Sequence, residues 1–193
     1  MRYSESRAGR KRAAGADVLA GILWLLPFLN NSAQASVQPG ENNLHMYGAL
    51  VAEPCVIPPE DEAVQLDFGT ITDKYLYLHT RTAGESFSIH LTECDLSLAD
   101  TVTVTFEGPE SAALPGLLAP DGGSAASGIA VGLETMDAKP VRLNKNSGKI
   151  VLQGKNNVIV LKGYVQGEPE AIRTQGIVRG PFTATATFRL NYE

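Results

Sequence analysis

The sequence predicts an all-β fold, a sandwich of short antiparallel strands, on three observations. Apolar and polar residues alternate with a period of two over most of the chain beyond residue 50, the pattern of strands with one buried face. Turn-forming residues punctuate these runs: Pro58-Pro59, Gly108-Pro109, Asp121-Gly122-Gly123, Asn146-Ser147-Gly148 and Asn156-Asn157. No stretch past residue 35 carries a long 3.6-residue period. Seven or eight short strands so punctuated read as a β-sandwich.

The first 35 residues stand outside that fold. Arg2, Arg7, Arg10, Lys11 and Arg12 make a basic start, and an apolar run follows from Val18 to Leu29. Ala33-Gln34-Ala35 then offers small residues at a cleavage site, which completes the layout of a secretory signal peptide. The run has 12 residues, whereas a membrane-spanning helix needs about 20, so no membrane span is expected. Residues 36–43 are polar, contain Pro39-Gly40 and cannot form a core. In the next segment Leu44, Met46, Gly48 and Leu50 alternate with His45, Tyr47, Ala49 and Val51. This reads as a strand without a home in its own domain, as addition to the sheet of another subunit requires.

The domain proper is expected over 51–193. Val64, Leu66 and Phe68 lead to Gly69 as a first strand. Asp73 to Leu78 allows one short helical turn. Phe87, Ile89 and Leu91 alternate with Ser88, His90 and Thr92 before Cys94. Val102, Val104 and Phe106 alternate with threonines, and Ile129, Val131 and Leu133 repeat the pattern, each as a half-buried strand. The loop between Pro109 and Ser127 is rich in Gly, Ala and Ser and reads as a surface crossover. Val158 to Val165 is apolar almost throughout, as for a strand buried on both faces.

The last run is the most regular. From Gly180 on, Phe182, Ala184, Ala186, Phe188, Leu190 and Tyr192 share one face, and Thr183, Thr185, Thr187, Arg189 and Asn191 the other. An apolar edge strand is an aggregation hazard unless it is covered, and no later strand of this sequence is available to cover it.

Composition and motifs exclude most other functions. Cleavage after Ala35 leaves 158 residues, one domain of ordinary size. The leader takes five of the 16 basic and two of the 21 acidic residues, so the remainder holds 11 basic against 19 acidic, net −8. That balance argues against nucleic acid or an anionic membrane as partner. Cys55 and Cys94 are the only cysteines, and export through an oxidising compartment predicts a disulfide between them. His45, His79 and His90 (placed in the extension, in a loop and on a polar strand face) have no ligand spacing, so no metal is expected. There is no G-x-S-x-G, no Ser/His/Asp grouping and no dinucleotide or phosphate-binding glycine pattern. No cofactor and no enzymatic activity are expected. Glu60-Asp61-Glu62 reads as a solvated acidic loop.

Taken in order, these residues resemble the pilin subunits of chaperone–usher fimbriae. Gly180 is fourteenth from the end and Tyr192 penultimate, as in the C-terminal pattern of that family, with alternating apolar residues between. Tyr47-Gly48 precedes Cys55 at the spacing of its donor extension. Val64-Gln-Leu-Asp-Phe-Gly-Thr-Ile71, Phe87-Ser-Ile-His-Leu-Thr-Glu-Cys94, and Gly128-Ile-Ala-Val-Gly-Leu to Lys139-Pro140 resemble the strands flanking the two cysteines and the mid-domain hairpin. Glu110-Ser-Ala-Ala-Leu-Pro-Gly116, Gly167-Glu-Pro-Glu-Ala-Ile-Arg-Thr174 and Ala184-Thr-Ala-Thr-Phe188 look most like the adaptor subunits of P-pilus tips.

The resemblance implies an incomplete immunoglobulin-like sandwich lacking its last strand, which leaves a groove. It implies as partners a periplasmic pilus chaperone, an outer-membrane usher and neighbouring pilus subunits, with export through the periplasm to a surface fimbrium. It implies donor-strand residues Leu44, Met46, Gly48 and Leu50, groove and chaperone-binding residues Gly180, Phe182, Phe188, Leu190 and Tyr192, and a terminal Glu193 carboxylate held by basic chaperone residues. The function implied is that of a structural, minor or adaptor subunit contributing to cell adhesion.

Overall fold

A computed structural model describes residue 44 and residues 46–193. The expected signal peptide, the polar stretch after it and His45 lie outside the described residues. Those described divide into a stretch that ends at Gly48 and a compact unit, Ala49–Glu193.

The compact unit is built on seven strands: β1 (Glu85–Leu91), β2 (Thr101–Glu107), β3 (Ile129–Thr135), β4 (Pro140–Val141), β5 (Ile150–Val151), β6 (Asn157–Gly167) and β7 (Thr187–Tyr192). They form two antiparallel sheets, in the orders β1-β6-β3-β4 and β5-β2-β7. The alternation read from the sequence sets the inward side chains. Ile89 and Leu91 of β1, Val102 and Val104 of β2, and Ile159 and Val165 of β6 join one core. Each fully buried Leu, Ile or Val contributes about 1.5–3 kcal/mol by leaving water. β3 and β4 form the expected hairpin, with Leu133 opposite Val141.

Two short helices punctuate the strands. The turn expected from Asp73 is α1 (Asp73–His79), so His79, expected in a loop, is its last residue. α2 (Pro169–Thr174) was not expected. Its signals are a proline at the first helical position, where a missing N–H costs nothing, and Gln175 in the left-handed conformation at its end, φ 52°.

Four expectations about faces and pairing need correction. β6 is not buried on both faces throughout, because Val158 and Val160 are exposed; they lie opposite His90 and Ser88 on the outer face of β1. β2 is more than half-buried: Thr103 and Thr105 are covered as well, and Thr105 Oγ1 meets Asn146 Oδ1 at 2.6 Å. β3 also loses its outer face to cover. Tyr164 lies across Gly132, where a Cβ would come within 2.2 Å of the ring. The Arg81 guanidinium sits 4.1 Å above that ring and pairs with buried Glu134 at 2.9 Å. Finally, Val64, Leu66 and Phe68 turn inward and alternate with exposed Gln65 and Asp67, yet 64–71 is no strand of either sheet. The crossover after Pro109 is on the surface but not wholly solvated: Ser111, Leu118 and Ala126 are buried, and Leu118 bridges to Val131.

Cys55 and Cys94 are bonded across a sequence separation of 39. Beside them Val56 and Thr92 exchange two main-chain hydrogen bonds of 2.8 Å. The chain before residue 64 is thereby fixed to the end of β1.

Candidate functional site

The second sheet ends on β7, and β7 leaves one edge open. Thr101 and Glu193 exchange main-chain hydrogen bonds of 3.2 and 3.0 Å. Bonded and non-bonded pairs alternate in an antiparallel ladder. With Val102 opposite Tyr192, Val104 opposite Leu190 and Phe106 opposite Phe188, the N–H and C=O of Phe188, Leu190 and Tyr192 therefore point away from β2. No strand lies on that side among the described residues. The side chains of the same three residues turn toward the core and stay half-buried.

The run upstream was expected to be one strand from Gly180, but the ladder with β2 begins only at Thr187. Before that, the crossover takes the place of β2. Asp121 N–H donates to Thr183 O at 2.8 Å, Ala125 N–H donates to Pro181 O at 2.9 Å, and Thr185 N–H donates to Asp121 Oδ1 at 3.2 Å. Alternation continues through the change of partner, so Phe182, Ala184 and Ala186 extend the same half-buried face. Gly180 is needed where the two segments meet, because a Cβ there would stand 2.7 Å from Ala125 Cβ.

The facing wall is 64–71. Val64, Phe68 and Ile71 pack against the core, and the Phe68 ring stacks on Phe182 with centroids 6.3 Å apart. Among the described residues no main-chain hydrogen bond joins 64–71 to another segment; Gly69 N–H donates only to the Asp67 carboxylate, at 2.8 Å. Two half-buried apolar walls thus carry unpaired main-chain donors and acceptors. Behind them Phe188, Phe106 and Phe87 form a chain of ring contacts at 6.5 and 6.3 Å. At the Phe182 end the groove opens into a cavity of about 270 Å³, with Ile71, Leu76, Ile129, Val165 and Ile177 in its lining.

Two polar side-chain pairs hold the ends of the 64–71 wall. Asp61 was expected in a solvated acidic loop, but it is buried. It accepts a hydrogen bond from the main-chain N–H of His90 and lies 2.6 Å from His90 Nδ1. The His90 N–H holds the Asp61 carboxyl below its ordinary value, burial opposes this, and the His90 ring reinforces the lowering. At the other end Asp73 accepts from Arg179 Nε and Nη2 at 3.0 and 2.7 Å, which likewise lowers the Asp73 pKa. Sequence reasoning missed both pairs. No local signal marks Asp61 or Arg179, whereas Asp73 stands at the helical turn that the sequence predicts.

A carboxyl whose folded pKa lies below its unfolded value stabilises the fold above the unfolded value, and this is lost as pH falls through the folded one. Asp61, Asp73, Asp95 and Glu110 are all lowered. Stability should hold down to about pH 4 and fall below it. In a subunit completed by a strand fused after Glu193, Asp61→Asn should flatten the acid slope, measured as denaturant midpoints between about pH 2 and 7. An unchanged slope would remove Asp61 from the account.

The other singled-out residues are placed as follows. Leu44 and Met46 are exposed, 84% and 82%, and a Cβ on Gly48 would meet open space. Leu50 and Val51 of the compact unit are exposed too. Glu193 keeps its side chain on Lys149, 2.7 Å away, and burial raises the Tyr192 pKa. Among the described residues no group of three or more His, Cys, Asp or Glu side chains is placed to hold a metal ion. What the groove offers is two half-buried apolar walls with unpaired main-chain groups among the described residues, the kind of edge to which a β-strand adds.

Comparison with known proteins agrees with that architecture. The model of the fimbrial protein family matches residues 44–193. The fimbria A protein of Serratia marcescens is 32% identical over 89% of this chain and 96% of its own. The fimbrial adapter PapK of Escherichia coli is 36% identical over 75% of this chain and 84% of its own. A solved chaperone–usher pilus, described for its rod uncoiling, superposes with a TM-score of 0.63 at 22% identity, over 82% of this chain and 99% of that one. The likeness of fold identifies the open sandwich as immunoglobulin-like. The relatives are named for fimbriae and not for a reaction. The chain belongs to the fimbrial protein family, as a structural subunit of fimbriae displayed on the cell surface.

Proposed function

We propose that the groove between 64–71 and β7 is completed by a β-strand from another chain, and that this exchange of strands is the protein's whole activity. A periplasmic chaperone supplies the strand first. At the outer-membrane usher the N-terminal extension of a neighbouring subunit replaces it. The leader, 1–35, is removed. The extension, 36–50, then serves a neighbour's groove through Leu44, Met46, Gly48 and Leu50, while 51–193 forms the domain that is itself completed. The observation that carries this reading is the pairing of two apolar walls whose main-chain groups on the groove side are unsatisfied. Burying Leu44, Met46 and Leu50 in a neighbour contributes about 1.5–3 kcal/mol each, and each main-chain hydrogen bond adds about 1 kcal/mol. That sum reaches the stability of a whole domain.

For its place in the fibre we propose a minor, adaptor position that contributes to adhesion. The 36% identity to a protein named as an adapter supports it.

The test is completion in cis. Exported without a chaperone, the subunit should aggregate or be degraded, because its groove leaves contiguous apolar surface in water. A copy of residues 44–51 fused after Glu193 through a flexible linker should give a soluble monomer that unfolds cooperatively. A stable monomer without the fusion would sink the proposal.

A further inference from the structure

The two walls of the groove are bridged at one end by charge. Asp73 follows the 64–71 wall directly and opens α1; Arg179 directly precedes Gly180 on the β7 side. The guanidinium places Nε and Nη2 on one carboxylate oxygen, at 3.0 and 2.7 Å. Both residues are also in the lining of the cavity of about 270 Å³ at that end. The pair joins an exposed cation to a mostly covered anion: the Arg179 side chain is 79% exposed and that of Asp73 14%. With its guanidinium in water, such a bridge is weakened by salt. Its opening would leave α1 in place, because Tyr77 Oη separately accepts the main-chain N–H of Ile177 at 3.2 Å and Leu76 is buried in the core. Phe68 and Phe182 also stay in contact across the groove without it.

We infer that Asp73 and Arg179 form a latch across the cavity end of the groove, which sets how fast an incoming strand seats there. The inference rests on the strand-completion reading. A strand that fills the groove to its Phe182 end must pass its main chain between 64–71 and 180–186, which the ion pair spans. With the pair closed, the strand waits for the bridge to open; with it removed, the walls part at the cost of apolar contacts alone. The latch therefore acts on the rate of seating more than on the final stability of the completed subunit, since an exposed pair contributes little at equilibrium.

The experiment uses the full exported subunit, held soluble by a co-expressed pilus chaperone. A labelled peptide of residues 42–52 is added, and chaperone displacement is followed by fluorescence anisotropy. Arg179→Gln and Asp73→Asn should each raise the displacement rate about two- to five-fold, as expected for removal of a surface ion pair. Arg179→Gln retains the carboxylate in the first turn of α1, so it stands as the clean variant if Asp73→Asn disturbs the helix. Raising the salt should accelerate the wild type toward the variants and leave the variants unchanged. The double reversal Asp73→Arg with Arg179→Asp should restore slow seating. Rates equal to wild type in Arg179→Gln, or the same salt response in wild type and variant, would overturn the latch while leaving strand completion standing. Peptide that displaces the chaperone from neither wild type nor variants would overturn both. Displacement seen only in the variants would support the latch in its strongest form.

Discussion

Phe188→Asp should abolish capture of the subunit by its chaperone, whereas Gly48→Trp should leave capture intact and block joining to the next subunit. Phe188 faces the core from β7, and its ring meets Phe106 at 6.5 Å. Removing such a ring from a core costs about 3–5 kcal/mol, and a carboxylate in its place adds desolvation. A domain stable by only about 5–15 kcal/mol, and short of one strand, should not reach a capturable state. Gly48 belongs to the proposed extension, and a Cβ there meets open space, so a large side chain should not harm the fold of its own subunit. On the strand-completion proposal the same side chain enters a neighbour's groove as part of a strand, where one oversized residue stops the register from completing. Co-purified chaperone complexes and subunit–subunit complexes, measured side by side, decide it. The assignment of the two ends fails if Gly48→Trp loses the chaperone while Phe188→Asp keeps it.

Removal of the disulfide should cost about 4 kcal/mol by the loop-closure estimate, a large fraction of the stability of a small domain. The bond closes a loop of 39 residues, and that loop contains the whole 64–71 wall, α1 and β1. The wall lacks main-chain hydrogen bonds of its own, so cross-linking its flank to the end of β1 limits what it can explore in the unfolded chain. The strand-fused monomer is the form in which to measure this. Its urea midpoint should drop sharply for the Cys55→Ser, Cys94→Ser double variant, and reduction of the parent should reproduce the drop. Intact mass should show two hydrogens fewer than the free dithiol. A double variant with the parent's midpoint would contradict the estimate.

The sequence made the inward faces legible. Alternation placed Phe87, Ile89 and Leu91, then Val102, Val104 and Phe106, and finally Phe182 to Tyr192 on the faces where they lie. Period two reports which side chains point together; it does not report which main chains pair. That is why 64–71 reads as a strand and is found without a ladder, and why the last run reads as one strand although its partner changes at Thr187. Nor does period two report what a second layer covers. Thr103, Thr105 and Glu134 are polar and lie on faces expected to be wet, yet they are buried because Asn146, Arg81 and Tyr164 reach over them from distant parts of the chain. Asp61 is hidden for the same reason. Its neighbours Glu60 and Glu62 are exposed, and only the approach of His90, 29 residues on, distinguishes it. The disulfide was legible because two cysteines in an exported chain leave one pairing.

The register of β7 also imposes an order of events on export. Tyr192 pairs with Val102 and Thr187 with Glu107, contacts that span most of the domain in sequence. A chain threaded through a membrane from its N-terminus delivers β2 early and β7 late. Until β7 arrives, the second sheet holds only β5 beside β2, two residues long, and the 64–71 wall faces nothing. Non-local pairings of this kind close slowly, and whatever the rest of the chain has formed by then, the second sheet lacks its edge until β7 is delivered. A binding partner that recognises β7 must therefore act at the end of translocation, as a checkpoint on complete passage: a subunit truncated or stalled before Thr187 has no site to offer it.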